Sequence, residues 1–187
     1  GVRLTYVQLL DKARQLASAL LRSGLQPGDR MGIWSHNNAE WVYMQLGTAL
    51  AGLVLVNINP AYRTAELEYA LNKVNCKALV TMPRFKTSDY LGMLRELAPE
   101  LNAGPADQQY ELLSEKLPAT KAIYWIDSPD DTTQEAGMMR FSALLASGDA
   151  NDPRIDQVAR LLHPNDAINI QFTSGTTGFP KGATLTH

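Results

Sequence analysis

Leu53-Val54-Leu55-Val56-Asn57-Ile58 is the run that decides the fold. Its first four residues are leucine and valine with no polar interruption, which suits a strand buried on both faces. Strands of that kind belong to parallel sheets covered by helices on both sides. The sequence on either side repeats the logic. Residues 30–35 form another short apolar strand, and 38–51 between them carry a helical pattern. Downstream, 64–73 predicts a helix capped by Thr64, 77–81 a strand, 88–98 a helix stopped by Pro99, and 122–127 a further strand. Strands alternating with helices of this length mean βαβ units, and the fold class is α/β: a doubly wound, largely parallel sheet with flanking helices.

Upstream, Thr5 and Gln8 have capping-box spacing, with Leu4 and Leu9 placed for a hydrophobic staple. Leu9, Leu10, Ala13, Leu16, Ala17 and Leu20 then recur at helical spacing, Gly24 is a natural C-cap, and Gln26-Pro27-Gly28-Asp29 is a turn. Two stretches break the alternation. Residues 102–117 and 128–137 are rich in Gly, Pro, Asp and Thr and read as surface loops. Residues 138–145 and 154–162 predict two short helices before Pro164-Asn165-Asp166. The strand over 167–172 then puts Ile168, Ile170 and Phe172 on one face and Asn169 and Gln171 on the other, which is partly solvated or meets a polar neighbour. Residues 183–186 predict a second strand paired back on it as a hairpin.

The 187 residues suffice for one domain or one large subdomain with its own core. Hydrophobic residues at 45% and charged residues at 19% exclude a disordered chain. A net charge of -2 argues against a nucleic-acid or anionic-membrane role, and no apolar run is long enough to span a bilayer. Cys76 is the single cysteine, so no intrachain disulfide is possible and a reducing compartment is expected. The chain opens at Gly1 without a methionine or targeting pattern, and the expectation is a fragment of a longer protein.

Between the last two strands lies Thr173-Ser174-Gly175-Thr176-Thr177-Gly178-Phe179-Pro180-Lys181-Gly182. Four hydroxyls, hinging glycines and one cation suit a polyphosphate: glycines let backbone N–H groups face an anion, hydroxyls add donors, and the lysine supplies opposite charge. A Walker A loop needs Gly-Lys-Ser/Thr followed by a helix; here Pro180 precedes Lys181 and Gly182 follows it, so the match fails at two positions. A G-x-G-x-x-G dinucleotide fingerprint is likewise missing after the first strand.

The run from Phe172 to Gly182 closely resembles the phosphate-binding signature of the adenylate-forming superfamily of acyl- and aryl-CoA synthetases, peptide-synthetase adenylation domains and luciferases. Gly28-Asp29-Arg30, Asn57-Ile58-Asn59-Pro60-Ala61-Tyr62, Glu66-Leu67 and the ending Ala183-Thr184-Leu185-Thr186-His187 extend the resemblance over nearly the whole chain. The wording is nearest to fatty acyl-CoA synthetases resembling acyl-CoA synthetase family member two, on Glu66-Leu67-Glu68-Tyr69, Cys76-Lys77-Ala78-Leu79-Val80 and Ile168-Asn169-Ile170-Gln171-Phe172.

The resemblance implies that residues 1–187 are the first part of an N-terminal AMP-binding domain, ending just after its phosphate loop. It implies activation of a medium- or long-chain fatty acid by ATP to an acyl-adenylate, then transfer to CoA, with Mg2+. Thr173, Ser174, Thr176 and Thr177 would donate to phosphate, Gly175 and Gly178 would allow close approach, Pro180 would fix the exit, and Lys181 would offset charge. Adenine, ribose, magnesium and most acyl contacts would lie beyond His187, so the fragment alone should be inactive, with exposed apolar surface and an unpaired sheet edge. Aryl- or amino-acid adenylation and a non-catalytic product are the alternatives. The implied compartment is the cytoplasm in a bacterium and the mitochondrial matrix in a eukaryote; partners are small molecules.

Other candidates read blandly. His36, His163 and His187 have no metal-ligand spacing, and Cys76 has no base near it and suits a structural cysteine. Trp34, Trp41 and Trp125 sit at core positions, and the three carboxylates of 127–131 lack a calcium-loop register.

Overall fold

The computed structural model describes residues 2–173 and 180–187. Helix α1 (Tyr6–Arg22) starts at the expected capping box: the Gln8 backbone N–H donates to Thr5 Oγ1 at 3.2 Å, and the Thr5 N–H donates to Gln8 Oε1 at 2.8 Å. Ser23 closes it, and Gly24 follows at φ +96°, the left-handed turn that only glycine adopts without strain. Strands β1 (Arg30–Trp34) and β2 (Val54–Ile58) flank helix α2 (Ala39–Leu50), whose N-cap Asn38 accepts from the Trp41 N–H at 2.9 Å. Helix α3 (Thr64–Lys73) leads to β3 (Ala78–Thr81). Its cap residue is Arg63, one position before the expected Thr64: Glu66 accepts from the Arg63 N–H at 3.1 Å, while the Thr64 hydroxyl turns to Glu96 at 3.3 Å.

After β3 the chain makes a two-stranded hairpin, β4 (Arg84–Phe85) and β5 (Ser88–Asp89), before α4 (Tyr90–Leu97). The helix expected from residue 88 therefore begins two residues later, where the Asp89 carboxylate accepts from the Gly92 N–H at 3.1 Å. Pro99 does stop it, and opens a 3-10 turn over Pro99–Ala103. Strand β6 (Ala122–Trp125) follows. The helix expected over 138–145 divides into a short strand, β7 (Met139–Arg140), and α5 (Phe141–Ala146). Helix α6 (Pro153–Ala159), β8 (Ala167–Thr173) and β9 (Lys181–Thr186) complete the chain.

The sheet order is β7-β6-β3-β1-β2-β8-β9, parallel throughout except for β9, which returns antiparallel to β8. From β1 the chain steps to β2 on one side, then crosses back to β3 on the other, which is the doubly wound pattern. Alternating side chains build two cores. Met31, Ile33, Leu55 and Val80 pack with Leu16, Leu20, Met44 and Phe141 against α1, α2 and α5. Trp34, Val56, Leu79 and Ile123 pack with Leu67, Leu71, Leu91 and Leu94 against α3 and α4. Each such fully buried aliphatic or aromatic side chain contributes roughly 1.5–3 kcal/mol.

The two expected surface loops are tied to each other and to the core. Leu112 and Leu117 are buried, Ala106 bridges Ala136, and Arg140 contacts Asp107 at 3.0 Å. Among the described residues no helix is long and apolar enough to cross a membrane.

Candidate functional site

In an open parallel sheet the strands point their carboxyl ends at one edge, where connecting loops leave room for ligands. Strand β8 reaches that edge at Thr173. The ladder with β9 pairs Phe172 with Gly182 and Thr173 with Lys181, so the hydroxyl-glycine loop is closed at its base by Thr173 and Lys181 standing opposite each other. The Thr173 hydroxyl donates to the Lys181 carbonyl at 3.4 Å, a long bond that leaves the group easily redirected. The Lys181 side chain is exposed and makes no ion pair with any described residue. A Cβ at Gly182 would lie 3.1 Å from Ile170 Cγ2, close enough that the isoleucine would have to shift by a few tenths of an ångström. Of the other loop residues singled out by sequence, Pro180 is placed, whereas Ser174, Gly175, Thr176, Thr177 and Gly178 lie outside the described residues.

Pro180 is held from the side. The Tyr69 hydroxyl, on α3, donates to the Pro180 carbonyl at 3.3 Å. In the segment leading into that helix, burial raises the Tyr62 phenol above its ordinary range, helped by the nearby Glu66 charge and by Tyr69. The loop after β2 is rigidly built. Trp34 Nε1 donates to the Asn59 carbonyl at 3.2 Å and the Tyr90 hydroxyl to the Pro60 carbonyl at 2.7 Å, with the two rings stacked at 4.1 Å between centroids. None of these supports was legible as a site feature, since each bond joins residues far apart in sequence.

Asn169 answers the sequence question about the polar face of β8: it is 4% exposed and meets polar neighbours. Its Nδ2 donates to Gln45 Oε1 on α2 at 3.1 Å, and its Oδ1 accepts from Asn57 Nδ2 on β2 at 3.4 Å. Asn57 Oδ1 is buried and finds no partner among the described residues.

Cys76, His36 and His163 sit among structural contacts. Cys76 is fully buried, its thiol donates to the Ala78 carbonyl at 3.1 Å, and desolvation pushes its pKa up to about 12. His36 stacks on Phe85 with centroids 4.7 Å apart, and His163 accepts from the Asn165 N–H at 3.2 Å. Among the described residues no group of three His, Cys, Asp or Glu side chains is placed to hold a metal ion. Asp127 accepts from the Ser142 N–H at 3.0 Å and so caps the start of α5. A cavity of about 710 Å3 opens at the amino-terminal edge of the sheet between Lys77, Lys121 and Tyr124, at the opposite end of the strands from Thr173.

Comparison with known proteins identifies the family. The family model of the AMP-binding enzyme matches residues 1–187. The chain is 44% identical over 189 residues to the medium-chain acyl-CoA ligase ACSF2, mitochondrial, of Bos taurus, covering all of this chain and 29% of that protein. It is 36% identical to the putative acyl-CoA synthetase YngI of Bacillus subtilis, covering all of this chain and 33% of that one. The crystal structure of the anthranilate CoA ligase AuaEII superposes with a TM-score of 0.74 at 22% identity, over 98% of this chain and 30% of that one, a likeness of fold. The chain thus spans about a third or less of the length of these relatives, and it belongs to the AMP-binding enzyme family.

Proposed function

We propose that this chain is the first part of the AMP-binding domain of an acyl-CoA ligase, and that its β8–β9 loop holds the β- and γ-phosphates of ATP while a fatty carboxylate attacks the α-phosphate. The observation that carries this reading is the base of the loop: Thr173 and Lys181 face each other at the carboxyl edge of a parallel sheet, and the lysine has no carboxylate partner among the described residues. A cation held there without a counter-charge suits a polyphosphate.

In this reading the chain's work is positioning and charge. Thr173 rotates its weakly held hydroxyl toward phosphate, with Ser174, Thr176 and Thr177 adding donors, while Lys181 offsets the charge that gathers on pyrophosphate as it leaves. Gly175 and Gly178 allow the backbone close approach, and Pro180, held by Tyr69, fixes the loop's exit. Attack displaces pyrophosphate and leaves an acyl-adenylate; the thiol of CoA then takes the acyl group and releases AMP. Mg2+ would arrive with the nucleotide and supply further positive charge at its phosphates. A medium-chain fatty acid is the substrate favoured by the likeness to the bovine medium-chain acyl-CoA ligase, a mitochondrial protein, which supports a mitochondrial location in a eukaryotic host.

The test is ATP–pyrophosphate exchange by the complete enzyme carrying this chain, with a panel of fatty, aryl and amino acids. Fatty acids are expected to support exchange, and Lys181→Ala to slow single-turnover adenylation roughly 10- to 1000-fold. An unchanged adenylation rate in Lys181→Ala sinks the assignment of the loop. Exchange with amino or aryl acids alone overturns the fatty-acid reading and leaves the loop intact.

A further inference from the structure

We propose that Asn169 is a positioning residue for ATP, setting the placement of the strand that delivers the loop; this rests on the phosphate-binding reading above. Strand β8 joins the parallel sheet through only three register pairs: Leu55 with Asn169, Val56 with Ile170, and Asn57 with Gln171. Its other neighbour, β9, belongs to the same hairpin and moves with it. Besides these pairs the strand is held by apolar contacts of Ile170, Ala167 and Phe172, which select no hydrogen-bonding partner, and a strand that slips by one residue exchanges its faces.

Asn169 does select partners. It is 4% exposed in a layer otherwise packed by Leu55 and Met44, where an apolar side chain would avoid the cost of burying an amide. Instead both ends of its carboxamide are used, and in opposite senses. Nδ2 can only donate and reaches Gln45 Oε1 on α2; Oδ1 can only accept and takes a bond from Asn57 Nδ2 on β2. Helix α2 and the loop-bearing strand are thereby tied by the 3.1 Å bond, and the longer 3.4 Å bond from Asn57 adds a weaker tie to the inner strand. Thr173 follows four residues further along the same strand, about 13 Å away at the usual rise.

Asn169 and Thr173 lie on one strand, so displacement at Asn169 is carried to Thr173 and its partner Lys181 at the base of the loop. A packing residue would act on stability alone. A positioning residue also raises the ATP KM of the folded enzyme, whatever the loss in thermal midpoint, and leaves the affinity for the carboxylic acid untouched.

The complete enzyme carrying this chain, in wild-type form and as Asn169→Leu, Gln45→Leu, Gln45→Glu and Lys181→Ala, is compared by pyrophosphate exchange and by thermal midpoint. Asn169→Leu and Gln45→Leu are expected to raise the ATP KM about 10-fold with the acid KM unchanged. Gln45→Glu keeps an acceptor facing Asn169 and is expected to hold the ATP KM within about threefold of wild type. If Asn169→Leu does not fold, Gln45→Leu, at a half-buried helix position, decides between the two roles. A normal Lys181→Ala defect beside an unmoved ATP KM in the leucine variants overturns the positioning role alone. A missing Lys181→Ala defect overturns the phosphate-binding reading and this inference with it.

Discussion

The Tyr69 hydroxyl donates to the Pro180 carbonyl at 3.3 Å, joining α3 to the exit of the loop across 111 positions of sequence. The proline has no N–H to anchor it in the ladder, so its carbonyl is the group by which neighbouring structure can hold this end. Tyr69→Phe removes the donor and keeps the ring. Because the bond is long and neutral, the expected loss of stability is about 0.5–1 kcal/mol in urea unfolding. A loss above about 2 kcal/mol would mean that the Tyr69 hydroxyl does more than make this bond.

Cys76 is expected to be chemically silent in the native protein. Its thiol is fully buried, and desolvation raises its pKa to about 12 against about 8.5 for a free cysteine. A thiol raised in this way adds stability that is present below the unfolded value and lost as pH rises from there toward 12. Labelling by an aromatic disulfide reagent at about pH 8 should therefore run at the rate of protein opening, and speed up sharply in denaturant. Labelling at the pace of a small free thiol would refute this.

The layout of the fold was legible because its strands are apolar runs and its helices periodic: residues 53–58 and 30–35 identify inner strands, and Thr5 with Gln8 identify a helix start that the structure keeps. What escaped were elements made by contacts instead of pattern. Strands β4, β5 and β7 are two residues each, too short to show a period, and exist because Phe85 lies against His36 and Arg140 is held by Asp107. The loop's chemistry was readable from Thr173 to Gly182 because the residues are consecutive. Its supports, Tyr69, Asn57 and Gln45, were not, because only the folded chain brings them to β8 and β9.

Two glycines separate packing from backbone strain. Gly148 follows α5 and lies against α1 so closely that a Cβ would sit 1.9 Å from the Gln15 carbonyl oxygen. Backbone on both sides leaves nothing to yield, and Gly148→Ala should cost about 3 kcal/mol or more. At Gly24 there is open space, but φ is +96°, so Gly24→Ala should cost about 1 kcal/mol from conformation alone. Urea midpoints rank the pair; equal losses would show that the contact between α1 and the residues after α5 relaxes freely.

Asp152 should govern part of the acid stability through the same contact. Its carboxylate caps α6 by accepting from the Arg154 N–H at 3.0 Å, takes the Ser18 hydroxyl of α1 at 2.7 Å, and is gripped by the Arg154 guanidinium at 2.5 Å. The Arg154 side chain is the main reason its pKa lies far below the usual carboxylate range, with Ser18 and the helix N–H assisting against burial. A depressed native pKa means that the unfolded chain takes up the proton first as pH falls. The contribution is thus whole above about pH 4, the unfolded value, and drains away below it. Asp152→Asn keeps the shape and loses the charge. It should cost about 1–2 kcal/mol at neutral pH, a modest figure because the Arg154 side chain is 44% exposed and screened by solvent. The gap between variant and wild type should then narrow between about pH 4 and pH 2, read by urea titration at each pH. A gap that stays constant to pH 2 would mean that Asp152 works as a neutral hydrogen-bonding cap, with its charge contributing nothing.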